Sequence, residues 1–237
     1  MIKKITIIFP VYNEQKRLED CFKEISIFNK KTKKINKEYI FVDDGSNDET
    51  KNILKKKIIN NYNFRLYSYN KNKGKGYAIK YGVSKAKFEN ILTIDIDMSV
   101  SLCQLLIWLK NYKLLKKSIY FGSRNLPESK IKYSLLRKYF GTFFRILIKL
   151  FLKIHIKDTQ CGFKLYTNNC ARKIFSNLTN YGFCHDLEII FIAKKNNLNI
   201  KELPVKWVHK KNSKLNLLTD TFIMLIEIIK LKITYKI

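Results

Sequence analysis

The chain has 237 residues, 46% of them hydrophobic, and a formal net charge of +28 at pH 7. That apolar content excludes a disordered chain and suffices for a substantial core. The charge narrows the partners to anions (nucleic acid, an anionic membrane surface or charged small molecules), although an AT-rich coding bias that fills solvated faces with lysine explains much of it equally well.

The first strand is "KITIIFP" (4–10), whose apolar run ends at Pro10, too short for a signal peptide. A helix-like stretch at 14–28 follows it. The pattern repeats as "EYIFVDD" (38–44) before a helical 47–59, "FRLYSYN" (64–70) before 74–86, and "NILTIDID" (90–97) before 102–115. Such alternation predicts an α/β fold, a mostly parallel sheet with helices on both faces. Ligands of such sheets bind beyond the carboxyl ends of the strands, where Asn13, Glu14, Asp43, Asp44, Asp95 and Asp97 fall.

The second half is less regular. "IYFGSRN" (119–125) is another strand entering a loop, and 133–156 is a long, unusually apolar helical pattern with spaced basic residues. "KDTQCGFKLYT" (157–167) is a polar loop entering a short strand; a helix near 184–195, a strand near 199–206 and an apolar helix over 217–237 follow. With no repeat, linker or composition break, one domain over 1–237 is expected. No segment offers about 18 uninterrupted apolar residues, so no spanning helix is predicted. Cys21, Cys103, Cys161, Cys170 and Cys184 contain no C-x-x-C pair and read as reduced thiols, not a disulfide framework or zinc site.

Asp95 and Asp97, two apart at a strand end, can both turn towards the crevice. Such a pair suits Mg²⁺ or Mn²⁺, which takes one or two carboxylates and keeps other positions for substrate phosphates. Asp43 and Asp44 precede Gly45 and a helix start capped by Ser46 or Asn47; the cap does not explain two adjacent acids, and a carboxylate there can accept from a nucleobase N–H or ribose hydroxyl. Gly74, Lys75 and Gly76 before a helix let backbone and cation approach an anion, but their spacing fits neither a P-loop nor G-x-G-x-x-G.

Together "PVYNE" (10–14), "VDDGSND" (42–48), "NKGKGYAIKYG" (72–82), "DID" (95–97), "GSRN" (122–125) and "DTQCGFKLY" (158–166) resemble family 2 glycosyltransferases of the GT-A fold, in particular the dolichyl-phosphate β-glucosyltransferase branch. The resemblance implies a nucleotide-sugar-binding half over 1–125 and an acceptor and membrane-facing half over 126–237. It implies a nucleotide site of Pro10, Tyr12, Glu14, Asp43, Asp44, Lys75 and Asp95, and a metal held by Asp95 and Asp97. Asp97, Arg124, Lys164 and Asp186 would be catalytic, with Arg124 and Lys164 meeting phosphate; Asp158, Gln160 and Lys164 would shape the acceptor loop. Mannose synthases usually carry Ser where this chain has Cys161 and Arg where it has Lys164, which favours the glucosyl branch; Lys is a point charge, not a bidentate clamp.

The expected reaction is inverting transfer of a hexose, glucose from UDP-glucose first, to polyprenyl or dolichyl phosphate, at the cytoplasmic face of a membrane. GDP-mannose as donor, or a saccharide acceptor needing Asp186 as general base, stay open as alternatives. Residues 133–153 and 217–237, apolar with basic residues, are the candidates for lying on an anionic membrane surface. Specific nucleic-acid binding is not expected, since basic residues are spread throughout and the crevice is acidic. Phe163 and Trp207 read as core or sugar-shelf residues, and His155, His185 and His209 lack ligand spacing.

Overall fold

A computed structural model of the protein describes residues 2–59, 61–132, 145–146, 148–182, 184–209 and 217–236. Residues 133–144 and 147 of the helix expected over 133–156 lie outside the described residues, and the described remainder is helical only to 152.

Among the described residues nine strands form: β1 (Lys4–Val11), β2 (Asn36–Asp43), β3 (Phe64–Ser68), β4 (Ile91–Thr93), β5 (Ser118–Ser123), β6 (Lys130–Lys132), β7 (Lys164–Tyr166), β8 (Asn199–Pro204) and β9 (Lys206–Val208). Seven of them make one sheet in the order β3-β2-β1-β4-β7-β5-β8, while β6 and β9 pair separately. β1 pairs in parallel with β2 on one side and β4 on the other. This is the reversal of strand order at which open α/β sheets bind ligands.

β1 explains why the sheet is covered on both faces. Ile5, Ile7 and Phe9 join one apolar cluster with α1 (Leu18–Lys31) and α4 (Gln104–Asn111), whereas Ile8 joins another with α3 (Lys75–Lys85). Successive side chains leave a strand on opposite faces, so a continuous apolar run needs helices on both. α2 (Thr50–Ile58) contributes Leu54 to the first cluster. The helices Cys170–Asn177 and His185–Lys195, and Ile228 and Leu231 of the C-terminal helix (Leu217–Thr234), complete the second.

Several expectations are corrected. The strand expected at 90–97 ends at Thr93, and Asp95 and Asp97 lie in a turn where Met98 takes a left-handed φ of 52° and its N–H donates to Asp95 O. α1 begins at Leu18, not near 14, because residues 13–15 are fastened to the β2–α2 loop: the Asn13, Glu14 and Gln15 N–H groups donate to Ser46, Thr50 and Asp48 side chains. β7 is antiparallel to both β4 and β5, so it brings its amino end to the edge where the neighbouring strands bring their carboxyl ends. The eight-residue helix Cys170–Asn177 is not among the expected elements, although Cys170, Ala171, Ile174 and Phe175 recur at helical spacing and are buried.

Candidate active site

The carboxyl edge of β1, β2, β4 and β5 and the amino end of β7 gather the expected residues. Pro10 lies opposite Val42, one pair before the β1–β2 register ends at Val11 and Asp43, and Tyr12, just beyond, is 37% exposed. Glu14 accepts from Arg17 Nη1 through both oxygens, at 3.0 and 2.9 Å. The loop is pinned reciprocally: Asn47 N–H donates to Asn13 Oδ1 and Glu49 N–H to Gln15 Oε1.

The two adjacent acids divide. Asp43 is buried and accepts from Ser46 N–H through Oδ1. Asp44 is buried too, but its oxygens accept from the Lys73 and Gly74 N–H groups at 2.8 and 3.0 Å, and its carbonyl accepts from Asn72. Asp44 therefore fastens the 71–74 loop.

That loop feeds α3. Gly74 has a φ of 97°, which side-chain-bearing residues rarely adopt, and a Cβ there would strike Tyr181 O. Lys75, the first residue of α3, pairs with Asp95 Oδ1 at 2.5 Å, both side chains about two-fifths exposed. Burial works against the Lys75 charge, but Asp95, Asp186 and Asp97 outweigh it and hold its pKa above the ordinary lysine value. Asp97 accepts from Ser99 N–H at 2.9 Å. A Cβ on Gly162 would strike the Asp95 carboxylate, so a side chain there would displace this acid from its present position against the 157–163 loop.

Asp95 and Asp97 fit a hard divalent cation. Both are partly exposed carboxylates on one turn, alternating with buried Ile94, Ile96 and Met98. Among the described residues no group of three or more His, Cys, Asp or Glu side chains is gathered as a metal site. An ion held here would keep most positions for phosphate oxygens and water, which is how Mg²⁺ is usually bound.

Arg124 leaves β5 and is gripped by Asp158: Nε and Nη2 donate to its two oxygens at 2.7 and 2.9 Å, and the Arg124 N–H donates to Oδ2 at 2.8 Å. The guanidinium also lies over the Trp207 ring, 5.7 Å from its centroid. Burial lowers and Asp158 raises the Arg124 pKa, with a net rise, and the same pair holds Asp158 below the carboxylate range against its own burial. Glu202 of β8 braces the loop by accepting from the Lys157 and Asp158 N–H groups, both at 2.9 Å. Neither Glu202 nor its role was legible in the sequence, where it is one acid in an alternating strand. Gln160 donates its N–H to Asp158, and its Nε2 is buried with no hydrogen-bond partner among the described residues.

Lys164, expected to meet phosphate and to shape the acceptor loop, lies in the interior. It is 2% exposed, and its Nζ donates to Cys161 O at 2.6 Å and to Asp186 Oδ1 at 2.8 Å. Asp186 opens the helix His185–Lys195, with His185 Nε2 at 3.2 Å. Burial alone would raise the Asp186 pKa; the charges of His185, when protonated, and of Lys164 and Lys75 outweigh that and lower it. Burial lowers the His185 pKa more than Asp186 raises it, so this imidazole is neutral. Burial also pushes the Cys161 thiol up to about 11, which makes it a poor nucleophile. Phe163 is core, edge-to-face with Trp108 at 4.9 Å.

A family model described as Glycosyl transferase family 2 matches residues 6–175. The chain is 33% identical to a dolichyl-phosphate beta-glucosyltransferase of Dictyostelium discoideum, over 98% of this chain and 74% of that one. It is also 33% identical to a human protein of the same name, over 90% and 70%. Among solved structures, glucosyl-3-phosphoglycerate synthase from Mycobacterium tuberculosis, in complex with Mn²⁺, UDP and glucosyl-3-phosphoglycerate, superposes with a TM-score of 0.69 at 15% identity, covering 98% of this chain and 80% of that one. The α/β architecture is thus the GT-A one expected.

Proposed function

The chain belongs to glycosyl transferase family 2, and from that premise we propose that it moves a hexose, glucose from UDP-glucose, onto dolichyl phosphate or a related polyprenyl phosphate with inversion. The observation that carries this reading is the meeting at one sheet edge of Asp95, Asp97, Lys75 and Arg124 from the first half with Asp158 and the Gly162 loop from the second. Both halves, 1–125 and 126–237, then build one site. The names of the relatives supply the sugar and the acceptor.

A lipid phosphate oxygen attacks the anomeric carbon while the bond from that carbon to the nucleotide diphosphate breaks, and the electron pair leaves with the diphosphate. Asp95 and Asp97 would hold Mg²⁺ or Mn²⁺, which when bound offsets the charge of the departing diphosphate. Lys75 adds a cation beside them, while Pro10, Tyr12, Glu14 and Asp43 flank the base and ribose. Arg124, with Nε and Nη2 committed to Asp158, offers Nη1 to phosphate. Gln160 presents its buried amide in the acceptor loop. Lys164 and Asp186 act from behind, as a buried pair.

Asp186 separates this from transfer to a saccharide. Deprotonating a sugar hydroxyl calls for a base with a pKa near the working pH. Asp186 is held below the carboxylate range, whereas phosphate is already an anion.

The acceptor places the enzyme at a membrane. Among the described residues no helix is long and apolar enough to cross one. The C-terminal helix instead exposes Ile223, Ile226, Ile229 and Ile233, between 41% and 71%, with the exposed Lys230 on the same face by helical spacing. Such a stripe suits peripheral binding to an anionic, cytoplasmic surface.

Radiolabelled UDP-glucose and GDP-mannose, each with a polyprenyl phosphate and Mg²⁺ or Mn²⁺, test the reading. Organic-extractable label from UDP-glucose, lost in Asp97→Ala, is the expected result. Label from GDP-mannose alone would move the donor, and no lipid-linked label from a folded, vesicle-bound sample would overturn the acceptor.

A further inference from the structure

The segment 178–184 lies between two elements distant in sequence. On one side is the start of α3. Tyr181 O accepts from Gly76 N–H at 3.0 Å, a Cβ on Gly76 would come within 3.0 Å of Asn180 O, and Lys80 Nζ donates to Leu178 O at 2.8 Å. On the other side is the C-terminal helix. Glu227 Oε2 accepts from the N–H of Cys184, the residue just before His185 and Asp186, at 2.9 Å. A Cβ on Gly182 would strike the Glu227 carboxylate, so this side chain of the helix lies directly against the backbone of the segment.

A second tie runs through Glu188, which is 1% exposed. Its oxygens accept from Thr179 N–H and Oγ1, Asn180 N–H and, at 3.0 Å, the hydroxyl of Tyr235, which follows the C-terminal helix. A buried carboxylate held only by neutral donors depends on each of them, because losing one leaves part of its desolvation uncompensated. Tyr235 also stacks on Phe191 of the helix that carries Asp186, with centroids 5.0 Å apart.

We propose that Glu227 and Tyr235 are positioning residues: through them the C-terminal region presses the 178–184 segment onto the start of α3 and fixes Asp186 and Lys75 relative to each other. Neither residue reaches the Asp95–Asp97 edge; they act on the reaction only through the segment. The same helix carries the exposed isoleucine stripe on its outer side and Glu227, Ile228 and Leu231 on its inner side. This inference takes the site of the proposed transferase as its target but does not depend on which sugar or acceptor is used.

The test uses the full chain and three variants, Glu227→Ala, Glu227→Gln and Tyr235→Phe, with two readouts. Amide hydrogen exchange is expected to rise about tenfold in 178–186 and also at Gly76, across the contact, in Glu227→Ala and Tyr235→Phe. kcat for hexose transfer is expected to fall about tenfold in both, with KM for the donor within about twofold. Glu227→Gln keeps an acceptor oxygen and should recover most of both. Exchange unchanged at Gly76, or kcat within twofold of wild type in folded Tyr235→Phe, would overturn the proposal. Equal damage from Glu227→Gln and Glu227→Ala would overturn the part played by Glu227. Should Glu227→Ala not fold, Tyr235→Phe decides alone. Should the wild type transfer no hexose, the proposed function fails, and exchange at Gly76 still decides this one.

Discussion

Replacing Lys164 with methionine keeps the length and apolar stem of the side chain and removes its charge. The ammonium it removes is 2% exposed and donates to Asp186 and Cys161 O. Asp186 is 4% exposed, and with His185 neutral at pH 7 the remaining cation acting on it is Lys75, which is already paired with Asp95. Breaking a buried ion pair from one side typically costs about 3–5 kcal/mol, because the other charge stays buried. The expected loss at pH 7 is therefore about 3 kcal/mol, read by urea denaturation. The pH profile should change as well. A carboxylate whose folded pKa is depressed contributes stability that is present above its unfolded value, about 3.9, and lost as pH falls through the lower folded value. Without Lys164 that depression shrinks, so the contribution of Asp186 between about pH 4 and the folded value should shrink with it. A Lys164→Met protein within about 1 kcal/mol of wild type at pH 7, with an unchanged acid limb, would refute the electrostatic role given to this pair.

Three further outcomes follow from the geometry. Asp44→Ala removes both acceptors of the Lys73 and Gly74 N–H groups, and should cost about 2–3 kcal/mol in denaturation with faster exchange in 71–74. Gly162→Ala places a methyl against the Asp95 carboxylate, and should lower kcat by at least about tenfold while Tm moves by only a few degrees, read by transfer assay and calorimetry. Arg124→Lys keeps the charge but loses the fork held by Asp158, and should lower kcat/KM by about ten- to a hundredfold in steady-state assays.

The sequence alone was enough for the alternation of strands and helices, because apolar runs of period 2 and 3.6 are local properties, and for the family, because its motifs are short and contiguous. It also identified Asp95 and Asp97 as a pair, since two residues of separation survive any reasonable turn. Tertiary structure decided what each acid does. Asp44 looks like Asp43 in the sequence, yet amides some thirty residues away occupy both of its oxygens. Lys164 is one more cation in the sequence, and only the fold shows Asp186, from another segment, holding it in the interior. The antiparallel insertion of β7, the brace from Glu202 and the ties from Glu227 and Tyr235 are likewise contacts between distant segments. Residue type and spacing state which groups can ionise or donate; only the folded chain determines which of those capacities are already spent inside the protein and which remain for a ligand.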